Sequence, residues 1–260
     1  MKLATWNVNS LTARLQHVRD WTALEPVDLL GLQELKLTDD KFPAEALAEA
    51  GYPHCAAFGQ KTYNGVALLS RTPLRDVVRN IVGFDDEHAR VIAATVEAPG
   101  GPLRVLNGYF VNGQAPGSEK FAYKLRWLDG LLRYVAAELA AHPRLLLMGD
   151  FNVAPEDRDS FDPEGLRDTI HHTREERAHF QALLALGLVD AFRLFEQPEK
   201  SYSWWDYRML GYQKNRGLRI DHLLASEALR PQVRGCRIDR TPRKWKQPSD
   251  HAPVILELAG

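Results

Sequence analysis

The chain has 260 residues, 45% of them hydrophobic and 26% charged, with a formal net charge of −1. These proportions fit a soluble globular protein and exclude intrinsic disorder or collagen-like structure as overall descriptions. No apolar run approaches the roughly 20 residues of a membrane helix, and the N-terminus has no apolar stretch of the kind a secretory signal needs.

Short apolar runs bounded by turn residues predict strands over residues 3–8, 28–33, 65–70, 90–97, 103–110, 144–150, 218–226, 233–239 and 254–258. Helices are predicted between some of them. The first covers Leu11 to Leu24 and is stopped by Pro26. The clearest runs from an N-capping Ser118 to Ala141, with Phe121, Leu125, Leu128, Leu132, Val135 and Leu139 on one face, and ends at His142-Pro143. A third spans Arg174 to Leu186 and is closed by Gly187. Strands outnumber helices and many are joined by short turns, which predicts a mixed α/β sandwich in one domain, residues 1–260. No linker or repeat interrupts it.

Two cysteines, Cys55 and Cys236, cannot build a disulfide framework or a zinc cluster, so a reducing, cytoplasmic location is expected. The near-neutral total charge hides an uneven distribution. Residues 207–246 hold eleven Lys/Arg against three acids, an excess of eight positive charges. That segment either solvates surface loops or forms a patch for a polyanion.

Many predicted strands end in polar residues that a core strand does not need: Asn7, Gln33-Glu34, Asn107-Gly108-Tyr109, Gly149-Asp150-Phe151-Asn152, Asp221-His222 and Ser249-Asp250-His251. Each alone has a structural reading, since Asn and Asp are common turn residues. Together, at one edge of a sandwich, they read as a site. Carboxylates, amides and histidine without cysteine favour a hard cation, Mg²⁺ first and Mn²⁺ as its substitute. The chemistry assigns Glu34 as metal ligand with Asn7 beside it, and Asp150 as general base for a water. Asn152 donates its amide, His251 donates to a phosphate oxygen, and Asp221 orients His251 and keeps it charged. Tyr109 donates to the phosphate or acts as a phenolate. Lys36, on an extended segment two residues past Glu34, would point to the same side and compensate charge.

The runs Thr5-Trp6-Asn7-Val8-Asn9-Ser10-Leu11, Leu32-Gln33-Glu34-Leu35-Lys36, Gly149-Asp150-Phe151-Asn152, Asn215-Arg216-Gly217-Leu218-Arg219-Ile220-Asp221 and Ser249-Asp250-His251-Ala252-Pro253 resemble the exonuclease III family, the bacterial branch of the abasic-site endonucleases. The resemblance runs in order along nearly the whole chain. It implies a four-layer, DNase I-like α/β sandwich: two mixed β-sheets flanked by helices. It implies a Mg²⁺-dependent DNA-repair nuclease acting as a monomer on abasic sites and blocked 3′ ends of duplex DNA. By the same resemblance the metal set is Asn7, Glu34, Asp150, Asn152, Asp250 and His251. Trp204, Trp205, Tyr207 and Leu218 suggest an apolar lining, which the family uses around an extruded base-less sugar, and Arg208 sits where a side chain can reach into the duplex. Lys36, Lys214 and Arg216 complete the expected DNA contacts. Residues 111–119 and 154–173 depart from the family pattern. A superfamily phosphoesterase acting on another phosphate and a DNA-binding protein without catalysis are the competing readings.

Overall fold

The computed structural model describes residues 1–260. Two six-stranded sheets form its centre. In the first, β13 (Val233–Ile238), β14 (Val254–Leu258), β1 (Lys2–Asn7), β2 (Leu29–Gln33), β4 (Val66–Ser70) and β3 (His54–Phe58) lie side by side in that order. In the second the order is β5 (Arg75–Arg79), β6 (Val91–Ala98), β7 (Gly101–Tyr109), β8 (Leu145–Asp150), β12 (Asp221–Ser226) and β9 (Leu188–Asp190). A separate two-residue ribbon pairs β10 (Trp204–Trp205) with β11 (Gly217–Leu218).

Strand β8 shows why these runs fold as they do. Leu146 and Met148 face a core of 22 residues between the sheets, while Leu145 and Leu147 face a core of 19 residues under the helices. Both faces are buried, so the run is continuously apolar instead of alternating. A third core of 16 residues lies under α1 (Leu11–Leu24) and α2 (Ala44–Glu49) on the outer face of the first sheet. The helices α3 (Glu119–Ala141) and α4 (Arg174–Ala185) cover the second sheet. The result is the expected four-layer sandwich.

Two parallel pairs, β1–β2 and β7–β8, carry α1 and α3 as their crossovers. Their registers position the site. Asn7 lies opposite Gln33 in one sheet, and Tyr109 lies opposite Asp150, itself opposite Asp221, in the other. Gly149 makes that edge possible. A Cβ there would sit 1.9 Å from the Gly108 carbonyl oxygen, at a φ of +145°.

Several expectations are corrected. The single strand expected over 218–226 is two, because Arg219-Ile220 belong to neither β11 nor β12, which lie in different sheets. Strands β3, β5, β9 and β10 and helix α2 went unpredicted; β5 is mostly exposed and β9 and β10 are very short. The buried stripe of α3 runs through Lys124, Trp127, Leu131 and Tyr134, whereas Leu125, Leu132 and Leu139 are only half-buried. Lys124 tolerates burial because Glu176 of α4 is its ion-pair partner, both fully buried. Glu176 also accepts the backbone N–H groups of His171 and Thr173. Breaking this pair leaves one uncompensated buried charge. Lys124→Met is expected to cost about 3–5 kcal/mol of stability, and a double Lys124→Met/Glu176→Leu variant much less. Chemical denaturation of both variants checks this; equal losses would remove the ion pair as the cause.

Candidate active site

The two sheets meet at one edge through Asn7. Its Nδ2 donates to Glu34 Oε1 and to Asp150 Oδ2, each at 2.9 Å. One amide from the first sheet thus fixes a carboxylate of each sheet. Its Oδ1 accepts the Asn9 N–H at 2.9 Å, so Asn7 acts as a clamp on the carboxylates more than as a ligand. Asp150 Oδ1 accepts the Asn152 N–H at 3.0 Å. Asn152 adopts a left-handed backbone, φ 50°, which asparagine tolerates. Its side chain donates to the Phe110 carbonyl and accepts from Asn112.

His251 lies on the other side of Asp150. Its Nδ1 faces both Asp221 oxygens at 3.1 and 2.9 Å, and its Nε2 lies 3.7 Å from Asp150 Oδ2. Burial opposes charge on this imidazole, but Asp221 and then Asp150 overcome it and raise the pKa to about 10. Without metal, Asp221 and Asp150 thus favour the charged imidazolium, a donor of positive hydrogen bonds. Burial pushes Asp150 up to about 7, with Asp221 and Glu34 adding to the rise and His251 and Asn7 opposing it. Burial, then Glu34 and Asp150, holds the Tyr109 hydroxyl well above its ordinary pKa. Those surroundings favour the neutral hydroxyl over the phenolate.

If Asp221 acts through His251, their losses should not add. The double alanine variant is expected to be little worse than the worse single one in kcat. Fully additive effects on log kcat would dissolve the pair.

Glu34, Asp150 and His251 offer ligand atoms within 4.8 Å of one another. Two carboxylates at one sheet edge fit a hard divalent cation, with oxygen donors left over for water. Asp250 stands farther out: Asn9 and Trp204 donate to its two oxygens at 3.0 and 2.9 Å. Lys36 pairs with Glu34 at 2.9 Å and donates to Asn9 Oδ1 at 2.6 Å. The contact is as expected, but the backbone is not extended. Both Glu34 and Lys36 have a left-handed backbone, φ 55°, and this brings their side chains together.

Beside this cluster opens a cavity of about 620 Å³ lined by Trp204, Leu218, Phe161, Ile170, His171 and Arg216, among others. Asn112 also lines it and links it to Asn152. Arg216 stacks over Phe161 at 5.2 Å. Arg208 reaches the rim, but its guanidinium folds back on Asp206. Lys214 is exposed on the following turn. Trp205 is fully buried core and Tyr207 is half-exposed. Not every cation of the basic segment faces solvent. Arg219 is buried between Asp159 and Asp190, and Arg237 pairs with Glu25. Gln33 and Asn107 also leave the site: they hydrogen-bond to each other at 2.6 Å between the sheets. His222 is buried on Arg219 and the Val153 carbonyl.

Sequence reasoning missed Asn9, Asn112, Phe161 and Arg90. Asn9 was legible, two residues past Asn7 in the same run. Arg90, stacked on the Tyr109 ring at 5.3 Å, carried no signal.

The same architecture and edge occur in known proteins. A family model, endonuclease/exonuclease/phosphatase family, matches residues 4–251. Exodeoxyribonuclease III of Haemophilus influenzae is 37% identical over 268 residues, covering 99% of this chain and all of that one. A solved 3′ phosphatase from Neisseria, bound to a product DNA hairpin, superposes with a TM-score of 0.96 at 47% identity, each chain covered in full. An abasic-site (AP) endonuclease from Archaeoglobus fulgidus gives 0.93 at 33% identity, covering 99% of both chains. The chain therefore belongs to the endonuclease/exonuclease/phosphatase family of hydrolases. Within it, the chain is a DNA-repair nuclease of the exodeoxyribonuclease III group.

Proposed function

We propose that this protein is a Mg²⁺-dependent hydrolase of phosphoester bonds at the 3′ ends of duplex DNA, removing 3′-phosphates and 3′-terminal nucleotides. Incision at abasic sites is a second activity of the same centre. One observation carries the reading: the Glu34–Asn7–Asp150 cluster and the Asp221–His251 pair converge beside a partly apolar cavity wide enough for a sugar. The Neisseria 3′ phosphatase supports the emphasis on 3′ ends.

Glu34 and Asp150 would hold the cation, which supplies Lewis-acid neutralisation of the phosphate and the leaving oxygen. Mn²⁺ would serve in its place, since both accept oxygen donors. The chain supplies the rest. His251, held charged by Asp221, donates to a non-bridging oxygen. Tyr109 donates its hydroxyl and Asn152 its free amide hydrogen to the same phosphate. Asp150, whose Oδ1 holds the Asn152 N–H and whose Oδ2 holds Asn7 Nδ2, accepts the proton of the attacking water. Trp204, Phe161 and Leu218 receive the sugar of the reacting nucleotide, and a sugar without its base enters most readily. All these groups come from one chain, so a monomer suffices. Cys55 and Cys236 are free thiols, which suits a cytoplasmic enzyme. No helix is long and apolar enough to cross a membrane.

A panel of three duplexes tests the proposal: a nick with a 3′-phosphate, a recessed 3′-hydroxyl end and an internal abasic site, each with Mg²⁺ and with product ends resolved. Turnover of the first two is expected to exceed incision of the third. Incision of the abasic duplex alone would reverse the order of activities, and cleavage of none would leave only a binding protein.

A further inference from the structure

Four arginines are buried, and two of them have carboxylate partners. Arg219 has Asp159 and Asp190, and Arg104 has Glu138. Arg90 and Arg243 have none; Arg90 donates to the Tyr109 carbonyl. Arg243 is 6% exposed, and no carboxylate lies within ion-pairing distance. One Nη donates to the Ser249 carbonyl, and Nε has no partner at all. Its guanidinium is instead caged by aromatic faces, with centroids of Tyr212 at 4.8 Å, Trp205 at 5.6 Å and Tyr207 at 5.8 Å. A buried charge without a counter-charge is costly, and these cation–π contacts offset only part of that cost. The arrangement holds the fork rigid and leaves it short of an anion.

Arg243 lines a groove of about 390 Å³ together with Tyr207, Tyr212, Lys244 and Trp245. Lys244 is exposed and has no acidic partner. The one carboxylate on the groove, Asp206, is already engaged by Arg208. Pro248, at the groove's edge, is followed directly by the Ser249-Asp250-His251 turn of the active site. The groove is therefore next to the reacting centre, and it meets the cavity that receives the sugar only at Asp206.

We propose that this groove is a second DNA contact, in which Arg243 and Lys244 grip a backbone phosphate of the duplex away from the reacting nucleotide. It rests on the reading of the protein as a DNA nuclease. A guanidinium offers paired donors that match two phosphate oxygens, and here its geometry is set before DNA arrives. Such a contact adds affinity and register but no sequence preference. Its benefit falls on long duplexes, because a substrate too short to cross the groove never meets it.

The experiment measures binding of a long and a very short duplex in Ca²⁺ over a range of salt concentrations, with turnover in Mg²⁺ alongside. The proteins are wild type, Lys244→Ala, Lys244→Glu and Arg243→Gln. For the long duplex, Lys244→Ala is expected to make the log–log salt slope shallower by about 0.9, the value for one phosphate contact. Lys244→Glu is expected to weaken long-duplex binding about ten-fold or more at low salt. Short-duplex binding and kcat should be unchanged by either Lys244 variant. Arg243→Gln should weaken long-duplex binding in the same selective way. Should it not fold, the two Lys244 variants decide. Unchanged slope and affinity for the long duplex in both Lys244 variants overturn the groove's role. Equal weakening of long and short duplexes overturns it as well, since the contact then lies at the reacting nucleotide. A wild-type protein without salt-dependent duplex binding contradicts the nuclease reading itself.

Discussion

Asp150→Asn is expected to lower kcat at least about 100-fold, the lower end of what a positioned base contributes. Duplex affinity, measured in Ca²⁺, should be retained. The amide keeps the size of the carboxyl but cannot take a proton from water at neutral pH. It also leaves its neighbours mismatched. Asn7 Nδ2 and His251 Nε2 both point at Oδ2, and the Asn152 N–H points at Oδ1. All three groups call for an acceptor, and an amide offers only one oxygen. Near-normal turnover in this variant would shift the base role elsewhere on the edge. Tyr109 is a poor substitute, because burial and its acidic neighbours keep its proton in place.

Chelation is expected to abolish hydrolysis, by about 10³-fold or more, and added Mg²⁺ to restore it. The size follows from the several kcal/mol that a Lewis acid supplies at a phosphate. Glu34→Gln should raise the Mg²⁺ concentration needed for half-maximal rate, because the remaining donors carry one charge fewer. The Lys36 ammonium beside Glu34 is already engaged by Glu34 and Asn9. The pH dependence follows from Asp150. Without metal its carboxyl is raised to about 7, so below that value a proton competes for the same oxygen. The Mg²⁺ requirement should therefore fall as pH rises from about 6 to about 8, with proton release on binding. A requirement that is constant across that range would remove Asp150 from the cation site.

Much of this was legible in the sequence because the site is written at strand ends. Asn7, Tyr109, Asp150 and Asp221 each close or open a strand, and strand register alone aligns them. The long apolar runs marked the central strands, and Ser118, Pro26 and Gly187 marked helix ends where they occur. What failed to show depended on partners distant in sequence. Lys124 reads as a solvent residue until Glu176, 52 positions away, is placed against it. Arg219 reads as part of a basic patch until Asp159 and Asp190 enclose it. Gln33 and Asn107 read as site residues, yet they satisfy each other between two sheets. The short ribbon strands were invisible because two residues give no period to detect. Local pattern reports the backbone well; charge pairing across the fold it does not report.

The most direct measurement is release of inorganic phosphate from a nicked duplex carrying a 3′-phosphate, using wild-type protein in Mg²⁺ and in excess chelator. The account predicts release in Mg²⁺, leaving a 3′-hydroxyl that a polymerase extends, and no release in chelator. A 3′-phosphate that stays intact in Mg²⁺, or one removed equally well in chelator, would contradict it.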